Sequence, residues 1–399
     1  MSALDGVRVI ELTQIMAGPF CGQVLADQGA DVIKVEPPET GDQTRQSMGE
    51  SAFRAVNRNK RSITLDLKDP EDQVTLRRLV KRADVLLENY RPGVAKKLGA
   101  DYETLRAVNP RLIYASISGF GQTGPYAQRP GFDLIAQGMS GVMSVTGEPG
   151  GNPVKAGVPV SDLCAGLFCA IGILSALHAR ERTGEGQQID TSLWEGAMAL
   201  TVWETAELWS TGNVPQPLGS AHRLSAPYQA LRTRDGYITV GGNTQRLYAR
   251  LCEAIGRPEL IDDPRFTDNP QRMANRPQLV VELERALTER DTGDWVDTLL
   301  AAGVPAGPLH DVRQVVNDPH TKAREMVVEM EHPEAGTVYG LGIPVKLSAT
   351  PGSVRRPAPL LGQHTEEILS ELGDARLSAR VAASARPDGS HSRARRDAT

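Results

Sequence analysis

Short apolar segments alternate with helical segments through the first third of the chain, and this alternation limits the fold more than any other feature. Five segments have the length and apolar content of strands: Val7–Leu12, Asp31–Glu36, Ser62–Leu67, Asp84–Glu88 and Leu112–Ser116. Cys21–Gln28 and Pro70–Arg82 are predicted helices between them. Strands joined by helices form βαβ units, whose right-handed crossovers place helices on both faces of a parallel sheet. The sequence therefore predicts an α/β fold.

Two long helices follow this region. Leu163–Arg182 has apolar residues all round its first four turns, so we expect it to be buried on most sides. Gln188–Asp190 is predicted to begin another strand, and Ser192–Ser210 is predicted as the second long helix. Both helices are assigned to the same large domain as the preceding strands.

The residue composition changes after residue 210, which indicates a second domain. Segment 211–225 is rich in Gly, Pro and Ser, and the strand Tyr237–Gly241 and several helical patterns follow it. A strand-like segment, Thr337–Leu347, and a short helix within Pro359–Leu372 then return to the first domain. The predicted boundaries are 1–210 for the N-terminal part of the large domain, 211–225 for a linker, 226–302 for the small domain, 303–320 for a second linker, 321–374 for the return and 375–399 for a disordered basic tail.

The distribution of charge argues against a nucleic-acid-binding protein. The 399 residues have a formal net charge of −5, and residues 375–399 carry six Arg and two Asp, which is +4. The remaining residues therefore sum to −9. A nucleic-acid-binding domain normally shows a basic face, which an acidic body does not favour.

Other residue types indicate a cytoplasmic protein without a metal site or a membrane anchor. The four Cys form no C-x-x-C pair, and the seven His are scattered singly. No apolar run approaches 18 residues, and the N-terminus lacks the pattern of a signal peptide. We accordingly expect no metal and no permanently bound cofactor.

Nucleotide-binding and hydrolase motifs are missing, but Asp162 stands out. The chain has no G-x-G-x-x-G after its first strand, no G-x-x-x-x-G-K-[ST] and no G-x-S-x-G. Asp162 lies where an extended segment meets the helix Leu163–Arg182, so the positive end of the helix dipole would keep its carboxylate ionised. From spacing alone, a plain helix N-cap is the other interpretation of this residue.

Ordered motifs over residues 4–373 resemble the family III CoA-transferases, the CaiB/BaiF family. No single motif is specific, but together they follow the order and spacing of the family. They are Gly18-Pro19, Gly29–Glu36, Asn57–Lys60, Glu88–Gly93, Asn109–Ile113, Gly119–Tyr126, Gly131–Gln137, Asp162, Arg182–Gln187 and Leu361–His364.

The resemblance implies both an architecture and a reaction. It implies a large Rossmann-like domain built from both chain ends, a small α/β domain, and a homodimer of interlocked rings. It also implies transfer of CoA from an acyl-CoA donor to a carboxylic acid acceptor, with Asp162 as the nucleophile. The intermediates would be an aspartyl–acyl anhydride and an aspartyl-CoA thioester.

The same resemblance implies which residues form the site. Ile15, Ala17 and Arg45 would line one side of the CoA, and Arg129 would contact a phosphate. Asn89, Arg91, Lys97 and Leu98 would hold the adenine and phosphates. A covering loop over the intermediates would contain Gly219, Ser220, Ala221, His222 and Tyr228.

Some positions depart from branches of the family. The formyl-CoA:oxalate branch has Gln where this chain has Met16, and a run of Gly in its covering loop, so formyl or oxalate specificity is not favoured. Related α-methylacyl-CoA racemases have His where this chain has Phe132, which cannot transfer protons. A racemase or epimerase and a non-catalytic CoA-binding protein remain the alternatives. Succinyl-CoA is a weakly favoured donor, and His222 and Arg223 are candidates to pair with a second carboxylate.

Overall fold

A six-stranded parallel sheet forms the centre of the first part of the chain. The computed structural model describes residues 1–373, so the predicted tail 375–399 lies outside the described residues. The strand order is β3-β2-β1-β4-β5-β6, which is the order of a doubly wound, Rossmann-type sheet. The α/β prediction is therefore confirmed. The strands are β1 Arg8–Leu12, β2 Asp31–Glu36, β3 Arg61–Thr64, β4 Val85–Glu88, β5 Ile113–Ser118 and β6 Gln188–Ser192.

Helices cover both faces of this sheet, as the crossovers require. Val9 and Val85 point into one core together with helices of that face, and Ile10 and Leu86 point into the other. Successive residues of a strand face opposite sides, which explains why these strands are apolar along their whole length. The helices of this part are α1 Ala17–Asp27, α2 Ser51–Ala55, α3 Pro70–Lys81, α4 Val94–Lys97, α5 Tyr102–Arg106, α6 Asp133–Met139, α7 Val160–Thr183 and α8 Leu193–Met198.

Helix α7 packs closely on α1 but leaves one apolar face uncovered. A Cβ at Gly166 would lie 2.7 Å from the Ala17 carbonyl oxygen, so only glycine permits this approach. Leu167, Phe168 and Ile171 are exposed, and the prediction that this helix is buried on most sides is therefore wrong for the single chain. Within residues 1–373, α7 is also the one helix long and apolar enough to cross a membrane by length and composition, a test that core helices pass as well.

The described residues separate into two compact units. The first comprises residues 1–140, 158–200 and those from 325 onward, and the second comprises 141–157 and 201–324. The second unit has an antiparallel sheet of order β7-β8-β9 and its own core, which includes Leu231, Ile238 and Leu283. Its elements are α9 Val202–Thr211, β7 Tyr228–Arg232, β8 Tyr237–Gly241, α10 Gln245–Ala254, α11 Asn269–Ala274, α12 Arg276–Leu287, α13 Thr292–Ala301, β9 Ala306–Pro308, α14 Val312–Asn317 and α15 Pro319–Ala323.

Several predicted elements differ from those observed. The single helix Ser192–Ser210 is in fact α8 and α9, which are interrupted where the chain passes from the first unit to the second. Segment 303–320, predicted as a linker, contains β9 and α14. In the first unit, β10 Val327–His332 pairs antiparallel with β11 Gly336–Leu341, and α16 Thr365–Glu371 follows. The sequence analysis missed β7 and β10.

Candidate active site

A cavity of about 380 Å³ opens in the first unit at the carboxyl ends of the central strands. Strand order reverses between β1 and β4, and in doubly wound sheets the loops at such a point diverge and leave room for a ligand. The loops after β1, β4 and β5 line the cavity, together with the start of α6, Asp162 and Leu193. The cavity therefore combines several of the strand-end loops that the sequence indicated.

Asp162 lies in the first turn of α7 and is half-buried at the cavity wall. Pro159 occupies the N-cap position and makes no side-chain capping bond, so Asp162 is not an N-cap. Burial, together with the neighbouring charge of Asp133, raises the pKa of Asp162 to about 7. Both shifts act in the direction opposite to the helix dipole, which was expected to keep this carboxylate ionised.

Asp133 fixes the start of α7, a role that the sequence analysis did not assign to it. Its Oδ1 accepts a hydrogen bond of 2.9 Å from the Ser161 backbone N–H, and its Oδ2 accepts one of 2.7 Å from the Gln137 side chain. These bonds join the first turns of α6 and α7, so that the carboxylates of Asp133 and Asp162 face the same cavity. The signal was present in the motif Gly131–Gln137, which contains both Asp133 and Gln137.

Two glycines allow the segment before α6 to cross the end of β5. A Cβ at Gly119 would lie 2.7 Å from the Gly131 Cα, and a Cβ at Gly131 would lie 2.5 Å from the Gly119 Cα. Phe132 follows this crossing, is 62% exposed and lines the cavity. An apolar ring with no proton to transfer thus lines the same cavity as Asp162, at the position where the family resemblance implied His for a racemase.

Five of the eight residues predicted to contact CoA line the cavity. Arg91 and Arg129 are exposed there, and the Arg129 guanidinium stacks 3.8 Å from the centre of the Tyr126 ring. The others are Ile15, Ala17 and Asn89. Guanidinium groups bind phosphate oxygens with paired hydrogen bonds, so the two arginines give this cavity the chemistry of a polyphosphate site.

The other three predicted contacts do not line the cavity. Arg45 is buried, and its Nε and an Nη bind the Glu36 carboxylate at 2.7 and 2.8 Å. Its charge is therefore already neutralised inside the protein. Lys97 is exposed on α4, and Leu98 packs against the core on one face of the sheet.

The predicted covering-loop residues lie in the second unit. His222 stacks on Tyr228 with 4.8 Å between ring centres, and the Ser220 Oγ accepts a hydrogen bond from the Ala230 N–H at 3.1 Å. Gly219 has a φ of +61°, and Ala221 follows Ser220 in the same turn. These bonds attach the Gly219–His222 segment to β7 at both Tyr228 and Ala230.

Arg223 has a different role from the one proposed for it on sequence grounds. Its guanidinium pairs with Glu204 at 3.3 Å and with Glu207 at 3.0 Å, both on α9. A guanidinium held by two carboxylates has little charge to offer to a third. Arg223 is therefore not suited to bind the second carboxylate of a substrate.

Comparison with known proteins agrees with the chemistry of this cavity. The model of CoA-transferase family III matches residues 4–365. The acetyl-CoA:oxalate CoA-transferase of Acetobacter aceti is 44% identical over 92% of this chain and 95% of that protein. The succinate–glutarate CoA-transferase of Agrobacterium fabrum is 41% identical over the same shares of the two chains.

The solved structures give the same result. A CaiB/BaiF family protein from Brucella suis is 42% identical to this chain and superposes with a TM-score of 0.85, covering 93% of this chain and 99% of that one. The fold, the family model and the curated relatives all agree. The chain therefore belongs to CoA-transferase family III.

Proposed function

We propose that this CoA-transferase moves CoA from an acyl-CoA, with succinyl-CoA as the favoured donor, to a free dicarboxylic acid through Asp162. One observation carries the proposal: the Asp162 carboxylate on α7 shares a cavity with two exposed arginines, Arg91 and Arg129. Relatives at about 40% identity are named for succinyl-CoA and for glutarate, D-citramalate or mesaconate. The 44% identical relative is named for acetyl-CoA and oxalate, so all four acceptors are dicarboxylic acids but the donors differ.

The chemistry needs an ionised Asp162 and a site from which water is excluded. The carboxylate attacks the thioester carbonyl, the C–S bond breaks, and an aspartyl–acyl anhydride and a CoA thiolate form. The thiolate attacks the aspartyl carbonyl, which releases the first acid and leaves an aspartyl-CoA thioester. The acceptor carboxylate then attacks that carbonyl, and the released thiolate attacks the acceptor's own carbonyl in the new anhydride. Asp162 is regenerated as a carboxylate, and no proton is gained or lost.

The CoA would extend from this cavity along the strand-end loops. Arg91 and Arg129 bind its phosphates in this proposal, and the backbone of Ile15 and Ala17 lines its reactive end. Lys97 and Leu98, on and just after α4, contact the adenine end. Arg45 is not part of the proposal, because Glu36 already binds its guanidinium.

We further propose that the enzyme is a cytoplasmic homodimer with the interlocked arrangement that the family resemblance implies. The uncovered apolar face of α7, with Leu167, Phe168 and Ile171, supports an interface of this kind. Gly219–His222 and Tyr228 would form the loop that covers the aspartyl intermediates. Such a cover would protect the anhydride from hydrolysis.

An acceptor screen tests the proposed reaction. With succinyl-CoA as donor, mass spectrometry should detect a new acyl-CoA when glutarate or mesaconate is added. Initial rates should show ping-pong kinetics, because the first acid leaves before the acceptor binds. Incorporation of solvent deuterium at the α-carbon of a branched acyl-CoA, without any acceptor, would instead support a racemase.

The rate of exchange should fall as the pH falls through 7. Only the ionised form of Asp162 is a nucleophile, and its pKa is raised to about 7. We therefore expect kcat/KM to be about tenfold lower at pH 6 than at pH 8. Asp133→Asn removes the neighbouring charge that raises this pKa, so the midpoint of its pH profile should lie lower than that of the wild type. An unchanged midpoint in Asp133→Asn, or a rate independent of pH between 6 and 8, would contradict this assignment.

A further inference from the structure

Side chains from three other segments hold the loop between β1 and α1. The Lys34 Nζ donates to the Thr13 carbonyl oxygen at 2.8 Å. Asn89 accepts from the Gln14 N–H at 2.9 Å and donates to the Gln14 carbonyl at 2.8 Å. The Asp42 Oδ1 accepts from the Ile15 N–H at 3.2 Å. Both polar groups of two consecutive peptide units are thus bound by side chains.

The residue at the end of this held segment has an unfavourable backbone conformation. Ile15 has a φ of +71°, in the left-handed region that β-branched residues avoid. Such a conformation persists only where the surrounding structure enforces it, and it is common at functional sites. Ile15 and the two residues after it line the cavity that contains Asp162.

Two of the holding side chains are themselves fixed by a buried network of charges. Lys34 pairs with Asp42 at 2.9 Å and with Glu11 at 3.0 Å, and Glu11 pairs with Lys60 at 2.8 Å. All four of these side chains are completely buried. Buried ion pairs stabilise a fold little, because desolvation offsets their attraction, but they fix geometry where their partners cannot rearrange. Here the fixed geometry is transmitted to residues 13–15.

We propose that Lys34, Asp42 and Asn89 are positioning residues, which hold residues 13–15 in the strained conformation that presents Ile15, Met16 and Ala17 to the acyl-CoA. This inference rests on the proposed binding of CoA in the cavity. It also changes the role expected for Asn89, since both ends of its amide already bind the Gln14 backbone. Asn89 acts on CoA through the loop.

The substitution Ile15→Gly separates positioning from direct contact. In the wild-type background, Asn89→Ala should raise the Kd for CoA and the KM for acyl-CoA about tenfold, while kcat stays within about twofold. Glycine adopts a φ near +71° at no steric cost, so in this variant the loop depends less on Asn89 to keep its conformation. In the Ile15→Gly background the same change should therefore raise the Kd about threefold or less. Calorimetry with CoA and initial-rate kinetics measure both quantities.

Asn109→Ala is a matched control. Asn109 also binds backbone with both ends of its amide, to the carbonyls of Val80 and Ala83 and the N–H of Arg111, but at the amino edge of the sheet. It should lower the Tm and leave the Kd for CoA unchanged. Asn89→Asp, which keeps the acceptor for the Gln14 N–H, is a second variant should Asn89→Ala fold poorly. The negative charge that Asn89→Asp adds changes the Kd for CoA by the same factor in both backgrounds. It therefore cancels when the two changes in Kd are compared.

Three results would overturn the inference. Asn89→Ala could raise the Kd for CoA equally in both backgrounds, which would make Asn89 a direct ligand. It could also leave the Kd unchanged in the wild-type background. Finally, it could lower kcat while the Kd stays unchanged. The Kd for CoA does not depend on turnover. A chain that bound CoA but did not exchange it would therefore contradict the proposed function, and the effect of residue 15 would still decide the role of Asn89.

Discussion

Asp162→Ala should lower the rate of CoA exchange by about 10⁴-fold or more, because the variant has no group that can form the anhydride. The KM for acyl-CoA should change far less, since the side chain contributes to chemistry rather than to phosphate binding. Hydroxylamine added during turnover of the wild type should leave a hydroxamate on Asp162, because it attacks the aspartyl thioester. Mass spectrometry of peptides from the treated protein would locate the modified residue.

Asp190→Asn is the matched control for this substitution. Asp190 in β6 also has a raised pKa, chiefly from burial, but it accepts a hydrogen bond from the Gln122 N–H and does not line the cavity. It should retain exchange within a fewfold of the wild type. Undiminished exchange in Asp162→Ala, or a hydroxamate on another carboxylate, would refute the proposed mechanism.

Glu11→Gln should lower the free energy of unfolding by about 3–5 kcal/mol, the cost typical of breaking a buried ion pair. The Glu11 carboxylate is completely buried and pairs with both Lys34 and Lys60. Burial already lowers the pKa of Lys60 to about 8, although Glu11 opposes this shift. Without Glu11 the Lys60 ammonium loses the carboxylate that pairs with it at 2.8 Å, so it must lose its proton or remain buried and uncompensated. Urea unfolding at pH 7 measures the change.

Glu103→Gln provides the comparison within the same unit. Glu103 pairs with Arg106 at 3.9 Å, and both side chains are more than half exposed. Exposed pairs contribute little, so this variant should lose about 0.5 kcal/mol or less. If the two variants lost similar amounts, the buried network would not have the energetic role inferred for it.

The central sheet could be predicted because its strands are apolar on both faces and are separated by helices. All five strands predicted in the first third are confirmed, with boundaries that shift by a few residues. The strands β7 and β10 are half-exposed, and short segments of mixed polarity give little periodic signal. The break between α8 and α9 follows from the passage between two units, which no local pattern encodes.

The loops that form the site could be predicted from the sequence, but the roles of the individual residues in them could not. Strand-end loops and Asp162 are visible in the sequence because topology brings the carboxyl ends of parallel strands together. The sequence could not show that Glu36 neutralises Arg45, or that burial raises the pKa of Asp162. Both depend on which groups the folded chain brings within a few ångström of each other, and no local sequence pattern encodes this. Lys34 and Asp42 were missed for the same reason.

The position of α16 has a consequence for the order in which the chain can fold. Ile368 and Leu369 complete one of the two cores against the sheet, and Glu367 and Glu371 pair with Arg61 in β3. All strands of that sheet have left the ribosome long before this helix is synthesised. The core of the second unit, in contrast, uses only residues between 226 and 306. During translation the nested unit can therefore fold first, while the part of the sheet that α16 covers stays exposed until α16 is synthesised.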